Sequence, residues 1–218
     1  MIGIYNYTVI LTYISLAAAI VGIGFAFSGN PYAATLCLMI SGLADGFDGK
    51  VARTKKNRSD AEKNYGIQLD SLADVIAFGV LPVAIGFSIG MSAWYFWPVG
   101  AIFVIAALTR LAHFNVMEEE YAKVKKERNL SFIGLPTTSV ALFLPLVIIA
   151  KVLIELYVPA METYFPFIFA AFLLIVAIMF LVKINFVNKP NNRRMVIYII
   201  TGIIELTAMG FLLWLATN

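Results

Sequence analysis

Apolar residues run through this chain in long blocks broken by short polar punctuation. Seven blocks are read at roughly 8–28, 32–53, 66–89, 94–117, 133–157, 162–183 and 194–216. Each approaches the about 20 residues that a helix needs to cross the hydrocarbon of a bilayer. Ser28-Gly29-Asn30-Pro31 separates the first two, and a polar, basic stretch at 54–65 follows the second. Gly90 to Ala93 lead into Trp94, Tyr95, Phe96 and Trp97, a cluster with the character of an interfacial aromatic belt. A charged segment at 118–131 and shorter breaks at 157–162 and 185–193 complete the pattern. The pattern predicts an all-α fold: a polytopic transmembrane helical bundle of six to seven spans. It forms a single domain over 1–218, with the span 194–216 at its periphery. No internal repeat or low-complexity tract stands out.

Composition agrees. The 218 residues are 61% hydrophobic and 13% charged, with a mean hydropathy of +0.87, whereas soluble domains carry about 25% charged residues. The net charge of +3 is too small to argue for nucleic acid. The single cysteine, Cys37, excludes a disulfide within the chain and reads as a small buried hydrophobe. The N-terminus lacks a basic region, and its first apolar run flows into further spans, so no cleavable signal peptide is expected.

Charge distribution sets the orientation. Fourteen of the 16 Lys and Arg residues fall in or beside the connections after the second, fourth and sixth blocks; the exceptions are Arg110 and Lys151, within spans. By the positive-inside rule the N-terminus and these three connections face the cytoplasm. A multi-pass protein of the cell membrane is expected, its basic rim suited to anionic lipid headgroups.

Four acids interrupt this apolar text. Asp45 and Asp48 are three apart on the second span, and Asp70 and Asp74 are four apart on the third. Both spacings put a pair on one helical face, and both pairs lie toward the cytoplasmic ends of antiparallel neighbours. Ionisable groups are costly in membranes and face cavities or partners. Four acids of one sign cannot neutralise one another, so they call for cations. With oxygen ligands only and no His or Cys nearby, Mg²⁺, Mn²⁺ or Ca²⁺ is favoured over zinc. A pair of such ions can clamp a phosphoryl group. The small residues Gly49, Ala52, Gly66, Ala73 and Ala77 share these stripes and allow close approach, and Arg53, one turn beyond Gly49, can bind a phosphate in forked fashion. The bland alternative is a set of solvated helix-end charges paired with nearby lysines. Four acids at one depth, with coincident small residues, argue against it.

The string Asp45-x2-Asp48-Gly49-x2-Ala52-Arg53, followed by Gly66-x3-Asp70-x3-Asp74, resembles the signature of the CDP-alcohol phosphotransferase family at all eight fixed positions. The gap of 12 residues between Arg53 and Gly66 departs from the family's usual eight; the additional residues are polar and read as a longer cytoplasmic loop. The resemblance implies displacement of CMP from a CDP-linked lipid by an alcohol. It implies that Asp45, Asp48 and Asp70 hold two divalent ions, Mg²⁺ or Mn²⁺. Asp74 would be a further ligand and the general base. Gly49, Ala52, Arg53 and Gly66 would form the nucleotide-diphosphate side. A homodimer is also implied.

Further strings are similar to the phosphatidylserine synthases of that family: Gln68 through Asp74 with Phe78, Gly79 and Pro82; Arg110-Leu-Ala-His113-Phe114-Asn115; and Gly134-Leu-Pro136-Thr137. His113 stands where an arginine is commoner. The resemblance reaches from about 40 to 140 and implies CDP-diacylglycerol and L-serine as substrates. Arg110, inside the fourth span, is expected to bind phosphate or the serine carboxylate, and Asn115 to hydrogen-bond the amino acid. Few other basic residues are set to face the cavity, which favours an unphosphorylated acceptor over glycerol 3-phosphate or inositol phosphate; choline is a further alternative. A cation transporter is the rival from another class, but it gives Gly49, Ala52 and Arg53 no role. His113, the sole histidine, is expected to make a structural hydrogen bond rather than to titrate. Lys151 and Glu155 are expected to pair at i,i+4. Glu205 lies mid-span without an obvious partner.

Overall fold

The structure is a computed structural model, and it describes residues 3, 7–55, 57–124, 132–133, 135–183, 185–187 and 192–217. Among these described residues, eight α-helices carry the fold: α1 (Ile10–Phe27), α2 (Pro31–Thr54), α3 (Asp60–Asp74), α4 (Leu81–Ser88), α5 (Trp97–Val124), α6 (Val140–Tyr157), α7 (Phe165–Leu181) and α8 (Asn192–Thr217). A π-helical segment, Val75–Val80, joins α3 to α4 without a break. The all-helical expectation holds, with one addition: Phe132–Ile133 (β1) pairs antiparallel with Asn185–Val187 (β2) in a small two-stranded ribbon.

Among the described residues, five helices are long and apolar enough to cross a membrane: Tyr7–Phe27, Asp60–Ser88, Trp94–Met117, Thr137–Tyr157 and Pro159–Leu181; α8 contains a shorter apolar stretch, Ile200–Phe211. The protein is a multi-pass membrane protein. At 24 residues α2 has the length for a span, about 36 Å at 1.5 Å per residue, but its C-terminal half carries Asp45, Asp48, Lys50 and Arg53.

Local chemistry explains the helix boundaries. At the α1–α2 corner Gly29 adopts φ +74°. Its N–H donates to the Ala26 carbonyl and that of Asn30 to the Phe25 carbonyl, which closes α1 in a Schellman motif. Asn30 then caps α2 by accepting from the Ala33 N–H, with Pro31 at the first helical position. The third helix begins at Asp60, six residues earlier than its apolar run at 66. Ser59 and Glu62 form a reciprocal capping box there, which stabilises a polar first turn that hydrophobicity does not reveal. The α6 helix begins at Val140, later than the expected 133, because extended Pro136 and a 3₁₀ turn, Thr137–Ser139, precede it. The α5 helix runs on through the acids at 118–120 to Val124.

Helices α1 and α2 pack along their length, α5 lies against α7, and α6 lies against α8. The π-helical segment and α4 sit centrally, where Phe78, Leu81 and Ile85 are fully buried with Phe103, Leu144 and Phe169. Cys37 is buried as expected. Lys151 and Glu155 do pair, and the Tyr32 hydroxyl donates to Glu155 at 3.1 Å, tying the N-terminal end of α2 to α6.

Candidate active site

The acidic residues arrive from two helices. Asp45 and Asp48 lie in the C-terminal half of α2, and Asp70 and Asp74 lie in the last turns of α3, just before the backbone widens into its π-helical turn. Such turns often mark functional positions, and this one shifts the register between the acids and the buried α4. Asp45, Asp70 and Asp74 each present a carboxylate oxygen such that all three lie within 4.8 Å of one another. Asp74 is buried, only 6% exposed; Asp45 and Asp70 are half-buried.

Asp48 is not part of that tight trio. It stays within electrostatic reach of Asp45 and Asp74, and its carboxylate accepts from the Thr12 hydroxyl of α1 at 3.4 Å. Thr12 is buried, as are Thr8 and Ser15. One turn further along, the Ser15 and Ser41 hydroxyls donate to each other's backbone carbonyls, at 3.2 and 2.9 Å. A stripe of hydroxyls on α1 thus accompanies the acid-bearing face of α2. Its spacing is visible in the sequence, but nothing there says which helix it faces.

The donor set is made of carboxylate oxygens alone, which suits a hard divalent cation and not a thiophilic one. Ionised, the three groups repel strongly at these separations. A divalent ion relieves that repulsion, so the residues present fit a metal.

Gly49, Ala52 and Arg53 occupy the last turns of α2. Gly49 is exposed and Ala52 half-buried; the Arg53 side chain lies outside the described residues. Gly66, on α3, is half-buried, and a Cβ built on it would lie 2.8 Å from Arg58 Nη2. Arg58 is a residue that motif reasoning passes over. It donates to the Glu62 carbonyl at 3.2 Å and to the Ala52 carbonyl at 3.5 Å.

Asn115 and Arg110 line α5. Asn115 exchanges hydrogen bonds with Ser71, its Nδ2 donating at 2.8 Å and its Oδ1 accepting at 3.1 Å, so it grips the residue next to Asp70. Arg110, 9% exposed, donates from Nε to the Leu135 carbonyl at 3.3 Å. It makes no ion pair among the described residues. Along α5 it falls between Ala107, which packs on Gly79, and Asn115; this places it level with the π-helical turn. His113 is exposed and makes no hydrogen bond among the described residues, so the expected structural bond is absent there. Glu205 is 3% exposed, with no hydrogen-bond partner for either carboxyl oxygen among the described residues.

The family model described as CDP-alcohol phosphatidyltransferase matches residues 5–216, nearly the whole chain. The chain belongs to the CDP-alcohol phosphatidyltransferase family. Its acids therefore sit in a phosphotransferase scaffold, and the chain is similar to several named relatives. The chain is 30% identical over 199 residues, 88% of its length and 74% of the relative's, to a CDP-diacylglycerol–serine O-phosphatidyltransferase of Helicobacter pylori. It is 36% identical over 120 residues to one from Saccharomyces cerevisiae, covering 52% of this chain and 42% of the relative. It is 33% identical over 109 residues, 50% of this chain and 46% of the relative, to an archaetidylserine synthase of Methanothermobacter thermautotrophicus. The matched part spans less than half of the yeast and Mycobacterium bovis relatives.

Proposed function

We propose that this phosphotransferase moves the phosphatidyl group of CDP-diacylglycerol to L-serine, giving phosphatidylserine and CMP. The observation that carries the phosphoryl chemistry is the meeting of Asp45, Asp70 and Asp74 across two helices at the head of a π-helical turn. The names of the relatives from three lineages support serine as the acceptor.

Asp45, Asp70 and Asp74, with Asp48 alongside, would hold two divalent ions, Mg²⁺ or Mn²⁺. Bound there, such ions supply charge stabilisation for the transferring phosphoryl group and its leaving oxygen. Asp74 accepts the proton of the serine hydroxyl as the new oxygen–phosphorus bond forms. The phosphorus–oxygen bond to CMP breaks, and CMP leaves with the bridging oxygen. Burial of Asp74 limits the bulk water that competes for the phosphorus. Gly49, Ala52 and Arg53 form the nucleotide side. Arg110, a buried cation without an acidic partner among the described residues, is suited to a carboxylate or phosphate. Asn115 acts through Ser71 to hold Asp70 in place. The basic connections turn the site toward the cytoplasmic face of the cell membrane, and a homodimer is the expected assembly.

The test is CMP release by the purified protein with Mg²⁺ or Mn²⁺, CDP-diacylglycerol and a panel of serine, glycerol 3-phosphate, inositol phosphate and choline. Serine-dependent release is expected. Release with another alcohol and not with serine overturns the acceptor; ion uptake into vesicles without CMP release overturns the enzyme.

A further inference from the structure

The α2–α3 connection is longer than the motif requires, and Arg58 lies in it. Its guanidinium bridges the end of α2 and the start of α3: Nη1 reaches the Ala52 carbonyl at 3.5 Å and Nη2 the Glu62 carbonyl at 3.2 Å. The same Nη2 occupies the space that a side chain at position 66 would need, 2.8 Å from an ideal Cβ. Two of the eight motif residues, Ala52 and Gly66, are thus touched by a residue outside the motif.

Nothing among the described residues neutralises this cation. The Glu62 carboxylate is engaged elsewhere, by Lys55 Nζ at 2.7 Å and by the Ser59 N–H at 3.0 Å. Among the described residues Arg58 makes no ion pair, and its buried Nε has no hydrogen-bond partner. Neutral carbonyls alone leave a half-buried guanidinium both unpaired in charge and incompletely hydrogen-bonded, and a buried donor left unmade is costly. Guanidinium groups favour forked contact with phosphate.

We propose that Arg58 is a substrate-positioning cation that the long loop adds to the nucleotide side of the site, seated against Gly66 and offering its charge to the phosphates of a cytidine nucleotide. Gly66 in this chain is then needed to seat Arg58, and does not itself make room for the ligand. The inference rests on the family's nucleotide chemistry and is independent of which alcohol is the acceptor.

The experiment uses the full-length protein in detergent or nanodiscs. Calorimetric CMP binding with Mn²⁺ is measured beside KM and kcat for CDP-diacylglycerol, and melting temperature monitors folding. The variants are Arg58→Met, Arg58→Lys, Gly66→Ala and the Gly66→Ala/Arg58→Met double. Arg58→Met is expected to weaken CMP binding and raise KM about tenfold, the scale of one charge-assisted hydrogen bond, with kcat within about twofold; Arg58→Lys falls between. Gly66→Ala moves CMP binding in the same direction, and the double variant is no worse than the poorer single. Unchanged CMP affinity with a lowered melting temperature reduces Arg58 to a loop staple and overturns the proposal. Multiplying effects in the double variant overturn the seating. Failure of wild-type turnover with serine, while CMP binding keeps this pattern, defeats the acceptor reading alone.

Discussion

Asp74→Asn separates the two jobs given to the acid trio, proton acceptance and cation binding. Asparagine keeps the size and one carbonyl oxygen but loses the charge and the basicity. If Asp74 takes the serine proton, its loss lowers kcat by about 10²–10⁴-fold, or about 3–5 kcal/mol of barrier. The electrostatic effect has the opposite sign for stability. Two unit charges 4.8 Å apart, the outer limit of the trio, repel by about 3.5 kcal/mol at an effective dielectric constant of about 20. Neutralising position 74 removes two such pairs. Proton uptake limits what the metal-free site can bear, because protonating an ordinary aspartate at pH 7.5 costs about 5 kcal/mol. The relief therefore lies below that value. If one third of it, about 1.5 kcal/mol, survives relaxation, the melting temperature rises by about 3–6 °C for a chain of this length. The assay pairs CMP release with thermal unfolding in EDTA and then in Mn²⁺. Expected are lost turnover, a higher melting temperature than wild type in EDTA, and a smaller rise on adding Mn²⁺. Normal turnover removes Asp74 from proton transfer. A variant that melts below wild type in EDTA refutes the cation-demand argument, since the acids would then already be satisfied by the protein.

Three further predictions address the surroundings of the trio. Thr12→Val deletes the hydroxyl that reaches Asp48 with little change of shape; a loss of about 0.5–1.5 kcal/mol predicts a drop in kcat/KM of about 2–10-fold and a higher Mn²⁺ requirement, and an unchanged Mn²⁺ titration rules out a role through Asp48. Asn115→Ala and Ser71→Ala break the same reciprocal pair, so their effects on kcat in a double-mutant cycle should be non-additive; simple additivity means that the two residues act separately. Glu205→Leu removes a buried carboxyl that has no partner among the described residues and should raise the melting temperature while leaving kcat intact; destabilisation or lost turnover would assign Glu205 a partner or a task.

Much of this protein is determined by sequence alone, and for a plain physical reason: lipid enforces a severe filter. Long apolar runs mark helices because an unpaired backbone has no partner in hydrocarbon, and acids within such runs stand out because their cost demands a purpose. That Asp45, Asp48, Asp70 and Asp74 form candidate pairs follows from one-dimensional spacing, since i,i+3 and i,i+4 pairs share a face whatever the helix packs against. The tertiary structure decided what depends on helix rotation and on contacts distant in sequence. It separated Asp48 from the trio and gave it Thr12 as a donor, 36 residues away. It turned Asn115 toward Ser71, left Arg110 without an acid among the described residues, and laid Arg58 over Gly66. It started α3 at a capping box that hydrophobicity does not register and widened the helix directly after Asp74. Spacing says which side chains share a face; only packing says what that face meets.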